Sequence, residues 1–125
     1  MIKLPKISES EQLVMKVIWS ENPIESNRII ELLSRTTTWK PKTISTLLNR
    51  LLKKGAIGYE GPSRKYRYFP LIEETDYAKA ESRSFLKRVF GGSVKPMLAT
   101  MAENDDLTLA DIEDLKRIIK EKQGK

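Results

Sequence analysis

The sequence predicts a mainly α-helical fold with one small β-hairpin, three helices lying before the hairpin and three after it. Apolar residues recur at helical spacing in six separate segments, several of them opened by capping residues or closed by glycine. A single stretch, residues 56–69, has strand composition on either side of a Gly-Pro turn. Charge then divides the chain: residues 1–71 carry 13 Lys and Arg against 6 Asp and Glu, a net +7, whereas residues 72–125 carry 10 against 11, a net −1.

Taken in order, Ser8 and Glu11 form an S-x-x-E capping box with Ile7 in front as a hydrophobic staple. A first helix should therefore run from about Glu9 to Ser20, with Val14, Val17 and Ile18 inward. Asn22-Pro23 signals a turn and Ile24-Glu25 a very short strand. Ser26 is placed to cap a second helix through about Arg35 that buries Ile29, Ile30, Leu32 and Leu33.

The third helix has the best-marked limits. Pro41 suits a first turn, Gly55 a C-terminal stop, and Lys53 and Lys54 the negative end of the helix dipole. Ile44, Leu47, Leu48, Leu51 and Leu52 follow the i, i+3, i+4, i+7, i+8 spacing of one buried face. Lys42, Ser45, Thr46, Asn49, Arg50 and Lys53 gather on the opposite face, and no acidic residue occurs from Lys40 to Tyr59.

Residues 56–60 and 65–69 read as the two strands of the hairpin, joined by Gly61-Pro62-Ser63-Arg64. Alternation puts Tyr66 and Tyr68 on the side that covers the helices and Lys65 and Arg67 outward. Trp39 and Tyr59 are expected as core aromatics. A fourth helix should span about Thr75 to Phe90, with Ala78, Ser82, Phe85, Leu86 and Val89 on one stripe and Gly91-Gly92 ending it. A shorter helix around Val94 to Ala102 carries Met97, Leu98 and Met101. Leu107, Thr108 and Asp111 resemble a staple and capping box for a last helix, whose apolar positions are Leu109, Ile112, Leu115, Ile118 and Ile119.

Composition excludes most chemistry. The 125 residues are 39% apolar and 32% charged, and that size suits one compact domain or a small domain with an appendage. Without Cys or His the chain has no disulfide, no Cys/His zinc site, no thiolate nucleophile and no Ser-His-Asp relay. Neither a cofactor nor a metal is expected. Glu73, Glu74 and Asp76, and Asp105 with Asp106, read as charges at helix N-termini, so an acid-base enzyme is not the expectation. No apolar run approaches the roughly 20 residues of a membrane span, and a cytoplasmic protein without membrane insertion is expected.

Helix, short strand, helix, helix, hairpin is the element order of a winged helix-turn-helix, and it covers residues 7–70. Two domains are expected, a winged helix over 1–71 and a helical dimerisation region over 72–125. Between Trp39 and Phe69 there are 8 basic residues and one acid, Glu60, which points to a polyanion as partner. The major groove of double-stranded DNA admits one helix, and Ser45, Thr46, Asn49 and Arg50 are the types that reach base edges. Lys42 and Lys53 suit the flanking phosphates, Arg64 and Lys65 at the wing tip a neighbouring backbone or minor groove. Lys40 and Lys54 complete the cationic cluster as candidate DNA contacts.

About 54 residues is too little chain to enclose three apolar stripes, so the back half needs another surface. A second copy of the chain is expected to supply it, giving a homodimer with two recognition helices about 34 Å apart on a palindromic operator. Its candidate residues are Phe85, Leu86, Val89, Phe90, Leu98, Met101, Leu109, Ile112, Leu115, Ile118 and Ile119. The alternatives are a tail folded back on the front half, and a winged-helix interaction adaptor that does not touch DNA.

The residues also carry a resemblance over nearly the whole length. It rests on Ile7-Ser8 through Val14-Met15-Lys16-Val17-Ile18-Trp19, on Trp39-Lys40-Pro41-Lys42-Thr43-Ile44 with Arg50-Leu51-Leu52-Lys53-Lys54-Gly55, and on Ser84-Phe85-Leu86 with Gly91-Gly92. In these the chain resembles the penicillinase and methicillin-resistance repressors of the BlaI/MecI type. The resemblance implies a homodimeric winged-helix repressor of β-lactam resistance genes, relieved when a membrane sensor-protease triggers cleavage of the C-terminal part. Lys42, Thr43 and Thr46 match the recognition-helix pattern, whereas Ser45 stands where members carry Arg or Gln. The Asn-Phe bond cleaved in the β-lactam members aligns here with Thr100-Met101. A copper-sensing branch uses C-terminal cysteines, which this chain lacks.

Overall fold

The structure, a computed structural model, describes residues 4–124; the outermost ends of the two expected domains, residues 1–3 and 125, lie outside the described residues. The elements run α1 (Glu9–Ser20), β1 (Ile24–Glu25), α2 (Ser26–Ser34), α3 (Pro41–Lys53), β2 (Ile57–Glu60), β3 (Arg67–Pro70), α4 (Glu74–Phe90), α5 (Val94–Glu103) and α6 (Leu109–Gln123). The chain divides into two compact units, Met1–Ala78 and Lys79–Lys125. The division falls inside α4, beyond the change in composition at Ile72.

In the first unit α1 begins as its capping box dictates. The Ser8 hydroxyl accepts from the Glu11 N–H at 3.2 Å, and the Ser8 N–H donates to Glu11 Oε1 at 2.8 Å. The Asn22–Pro23 bond is cis, and the chain then enters β1. Here one local expectation is corrected. Ser26 is the first helical residue of α2, and Glu25 holds the cap position without a side-chain bond. Strand pairing is the reason: Glu25 lies opposite Arg67 on β3, which keeps it extended until the helix starts at Ser26.

α3 opens on Pro41 and closes in a Schellman turn. The Ala56 N–H donates to the Leu51 carbonyl at 3.0 Å and the Gly55 N–H to the Leu52 carbonyl at 3.1 Å, with Gly55 at φ +76°. That conformation costs glycine nothing, which explains the abrupt stop. The three strands form an antiparallel sheet in the order β1-β3-β2, with Tyr59 opposite Tyr68 and Glu60 opposite Arg67. β3 starts at Arg67, later than the expected Lys65, because the Lys65 N–H closes a turn onto the Pro62 carbonyl at 2.8 Å.

The core of this unit lies between the three helices and the sheet. Val14, Met15 and Ile18 of α1, Ile29 and Leu33 of α2, and Ile44, Leu47, Leu48 and Leu51 of α3 are buried together with Ile24, Ile57 and Tyr68. Each such side chain contributes about 1.5–3 kcal/mol by leaving water. Trp39 packs half-buried against this cluster. The first turn of α4 is fastened to α1 as well. Trp19 Nε1 donates to the Ile72 carbonyl at 2.9 Å, the Trp19 ring lies 5.5 Å from that of Tyr77, and Lys16 pairs with Glu74 at 2.6 Å.

The second unit is built differently. α4 ends where Gly91 and Gly92 adopt positive φ and the Gly92 N–H reaches back to the Leu86 carbonyl at 3.1 Å. α6 opens on the expected box, with the Thr108 N–H donating to Asp111 Oδ2 at 3.0 Å and the Asp111 N–H to the Thr108 hydroxyl at 3.1 Å. None of its described residues is buried. Among the described residues no helix is long and apolar enough to cross a membrane.

Candidate nucleic-acid interface

The leucine face of α3 decides what its other face can do. With Ile44, Leu47, Leu48 and Leu51 inward, Lys42, Thr43, Ser45, Thr46, Asn49, Arg50 and Lys53 fall on an outward arc about 160° wide at 100° per residue. All seven are exposed. Lys40, at the cap position before the helix, is exposed too. With no carboxylate from Lys40 to Tyr59, nothing on the helix neutralises this surface.

The polar groups within the arc are not equivalent. The Thr46 hydroxyl donates to the Lys42 carbonyl at 3.0 Å, so it offers a ligand only oxygen lone pairs and a methyl group. Ser45 and Asn49 carry both donors and acceptors, and Arg50 supplies a fork of donors that fits a guanine edge or a phosphate. A helix of this width with such an edge fits the major groove.

On the wing, Arg64 and Lys65 sit exposed in the connection between β2 and β3. Glu60 lies 4.0 Å from Arg67 on the neighbouring strand, so the single acid of this region faces a cation. Tyr59 is not a core residue as expected: it is half exposed, and its ring centre lies 4.6 Å from that of Tyr66 with the planes tilted by 53°. β2 is an edge strand of the sheet, so a ring near its end is covered from one side alone. Tyr68, one strand inward, is buried, and burial together with the nearby Tyr66 and Tyr59 phenols pushes its hydroxyl pKa up.

Lys54 stands apart from the other candidate contacts. Its ammonium is held by Glu11 Oε1 at 2.5 Å and by the Lys6 carbonyl at 2.8 Å. Glu11 is fully buried and was not singled out from sequence beyond its capping role. The helical wheel gives no signal for this, because Lys54 falls as close to Thr43 of the outward arc as to Leu47.

In the second unit Phe85, Val89, Met101, Leu109, Leu115, Ile118 and Ile119 are exposed, and Leu86, Phe90, Leu98 and Ile112 are half-buried. The Phe85 and Phe90 rings meet edge to face at 6.0 Å. Thr100 and Met101 lie on the exposed side of α5, the Thr100 hydroxyl donating to the Pro96 carbonyl at 2.9 Å. Among the described residues no cluster of acidic side chains could hold a metal ion.

A family model described as penicillinase repressor matches residues 7–121. The penicillinase repressor of Bacillus licheniformis is 43% identical over 125 residues, covering 100% of this chain and 98% of that protein. The methicillin resistance regulatory protein MecI of Staphylococcus aureus (strain N315) is 35% identical over 120 residues, 96% of this chain and 98% of that one. Among solved structures, the DNA-binding domain of the repressor BlaI matches with 51% identity and a TM-score of 0.55, over 62% of this chain and 94% of that chain. The Bacillus licheniformis BlaI monomeric form in complex with the blaP half-operator matches over the same shares, with 51% identity and a TM-score of 0.54.

Fold and site thus define a winged-helix DNA-binding repressor, a regulator of transcription and not an enzyme. The chain belongs to the penicillinase repressor family.

Proposed function

We propose that the chain is a cytoplasmic homodimer that represses antibiotic-resistance genes by binding a palindromic operator, with α3 of each copy in the major groove. The observation that carries the reading is the acid-free outward arc of α3, from Lys42 to Lys53. Ser45, Thr46, Asn49 and Arg50 read bases, and Lys40, Lys42, Thr43 and Lys53 hold the flanking phosphates. Arg64 and Lys65 of the wing grip the backbone beside them. The uncovered apolar side chains of α4, α5 and α6 support the dimer, because exposed aliphatic surface of that extent on a small protein marks an interaction site.

Induction follows from the same arrangement. A sensor-protease signal that ends in hydrolysis of the exposed Thr100–Met101 bond would part α6, with Leu109, Ile112, Leu115, Ile118 and Ile119, from the rest. The dimer loses much of its apolar surface, and each half-site must then be bound singly.

Phosphate neutralisation makes such binding steeply salt-dependent. With about 6–10 phosphates contacted, affinity for duplex selected from host DNA falls by about 10³ to 10⁵ between roughly 50 and 200 mM salt. Arg50→Ala abolishes the preference for selected over random duplex, whereas Lys65→Ala weakens both by a similar factor. A salt-independent isotherm overturns the reading, and the absence of any gel shift leaves the interaction adaptor in its place.

A further inference from the structure

The recognition helix closes on two adjacent exposed lysines, and the second of them is paired. Lys53 is exposed at the end of the cationic arc, together with Lys42, Thr46 and Arg50. Lys54, one residue on, is exposed as well, with about a third of its side chain in solvent, but its ammonium is tied to α1. Its Nζ lies 2.5 Å from Glu11 Oε1 and 2.8 Å from the Lys6 carbonyl oxygen. Glu11 has 1% of its surface exposed, the one buried charged residue among the described residues. The same Oε1 also accepts the Ser8 N–H at 2.8 Å, the closing bond of the α1 capping box.

One carboxylate oxygen therefore joins the N-terminal cap of α1 to the C-terminal cap of α3. A lone buried carboxylate is costly, and an ion pair with further hydrogen bonds is the form in which proteins tolerate it. Burial alone raises the Glu11 pKa, yet the Lys54 ammonium and the Ser8 donors outweigh it and keep the carboxyl below its ordinary range. Such a pair is a weak source of net stability, but Glu11 Oε1 accepts from both Ser8 N–H and the Lys54 ammonium, so moving the end of α3 away from α1 would strand a buried carboxylate.

We infer that Glu11 and Lys54 are positioning residues that set the C-terminal end of the recognition helix against α1, and that Lys54 makes no phosphate contact. The inference rests on the DNA-binding reading of α3, and it separates two residues that charge counting treats alike. Lys53 adds to affinity for any duplex. Lys54 adds to discrimination, through the angle at which Ser45, Asn49 and Arg50 meet base edges.

The experiment uses the full chain and two duplexes of equal length, one selected by the protein from random-sequence DNA and one scrambled. Lys53→Gln should weaken both by a similar factor and lower the slope of log K against log salt by about one. Lys54→Gln and Glu11→Gln should leave that slope unchanged while narrowing the ratio of selected to scrambled affinity about tenfold. Lys54→Arg, which keeps a cation beside Glu11, should restore the ratio. Glu11→Gln retains a residue able to complete the capping box, so it preserves the fold while removing the charge. Circular dichroism melts then place every measurement below the unfolding transition. If Lys54→Gln lowers the slope as Lys53→Gln does, or if Lys54→Gln and Glu11→Gln both keep the full ratio, the inference is overturned. A near-zero slope in the parent protein would instead overturn the DNA-binding reading, a result distinct from either.

Discussion

Ile44 in α3 and Leu109 in α6 are both apolar side chains of amphipathic helices, yet Ile44 is fully buried and Leu109 is 85% exposed. The difference lies in what surrounds the helices. α1, α2 and α3 pack on one another and on a three-stranded sheet, so every apolar stripe in the first unit meets a second layer. The second unit has only helices, none of whose residues it buries. Periodicity establishes which face of a helix wants cover, and it does not establish whether the chain supplies that cover.

The largest effect separating the two units should come from truncating one aliphatic side chain in each. Ile44→Ala opens a cavity in a core that cannot fully collapse and should cost about 2–5 kcal/mol in urea unfolding. Leu109→Ala lies outside the core of the first unit, so the transition of that unit should stay within about 0.5 kcal/mol. Both tryptophans, Trp19 and Trp39, lie in the first unit, and their fluorescence reports its transition directly. Equal destabilisation by the two variants would break the comparison, because it would mean that α6 is part of the same cooperative core.

A second variant sharpens the contrast from the other side. If Ile118 is covered in the dimer, Ile118→Ala gives up about 1.5–3 kcal/mol of burial in each copy, which is roughly 10² to 10⁴ in the dimer dissociation constant. Sedimentation equilibrium measures that change, while the tryptophan transition of the first unit keeps its cooperativity. An unchanged dissociation constant would show that the apolar stripe of α6 faces something other than a second copy.

What could be read from the sequence divides along the range of the interactions. α3 was legible to within a residue or two, because Pro41, the leucine spacing and Gly55 act over a single turn each. The capping boxes at Ser8 and Thr108 were legible for the same reason. The misplaced features depend on partners far along the chain: Glu25 displaced Ser26 as the cap residue because Arg67 pairs with it, and Tyr59 is exposed because β2 became a sheet edge. The outward arc of α3 follows from its inward one, so the candidate contacts were visible as a set. Lys54 was assigned to that set by charge, and only the fold brings Glu11 to its ammonium.

The smallest expected effect concerns one local device in two settings. Both units open a helix with a capping box, and in both the box carboxyl is held below its ordinary range. For Glu11 burial pulls upward, and Lys54 with Ser8 prevails; for Asp111 the Thr108 N–H and hydroxyl lower it against slight desolvation. A carboxyl with a depressed folded-state pKa adds stability that is present above its unfolded value, about 4.3 for Glu and 3.9 for Asp. That stability is lost as pH falls through the folded value. The first unit should therefore weaken as pH drops below about 4.3, and Glu11→Gln should flatten this acid limb of the tryptophan-detected transition. Asp111→Asn should leave the same transition unmoved and register only as faster amide exchange in the first turn of α6. Its box is exposed and its bonds lie within the first turn of α6, whereas the Glu11 box is tied through Lys54 to the end of α3, so titrating one reaches the whole unit and titrating the other frays a single helix end.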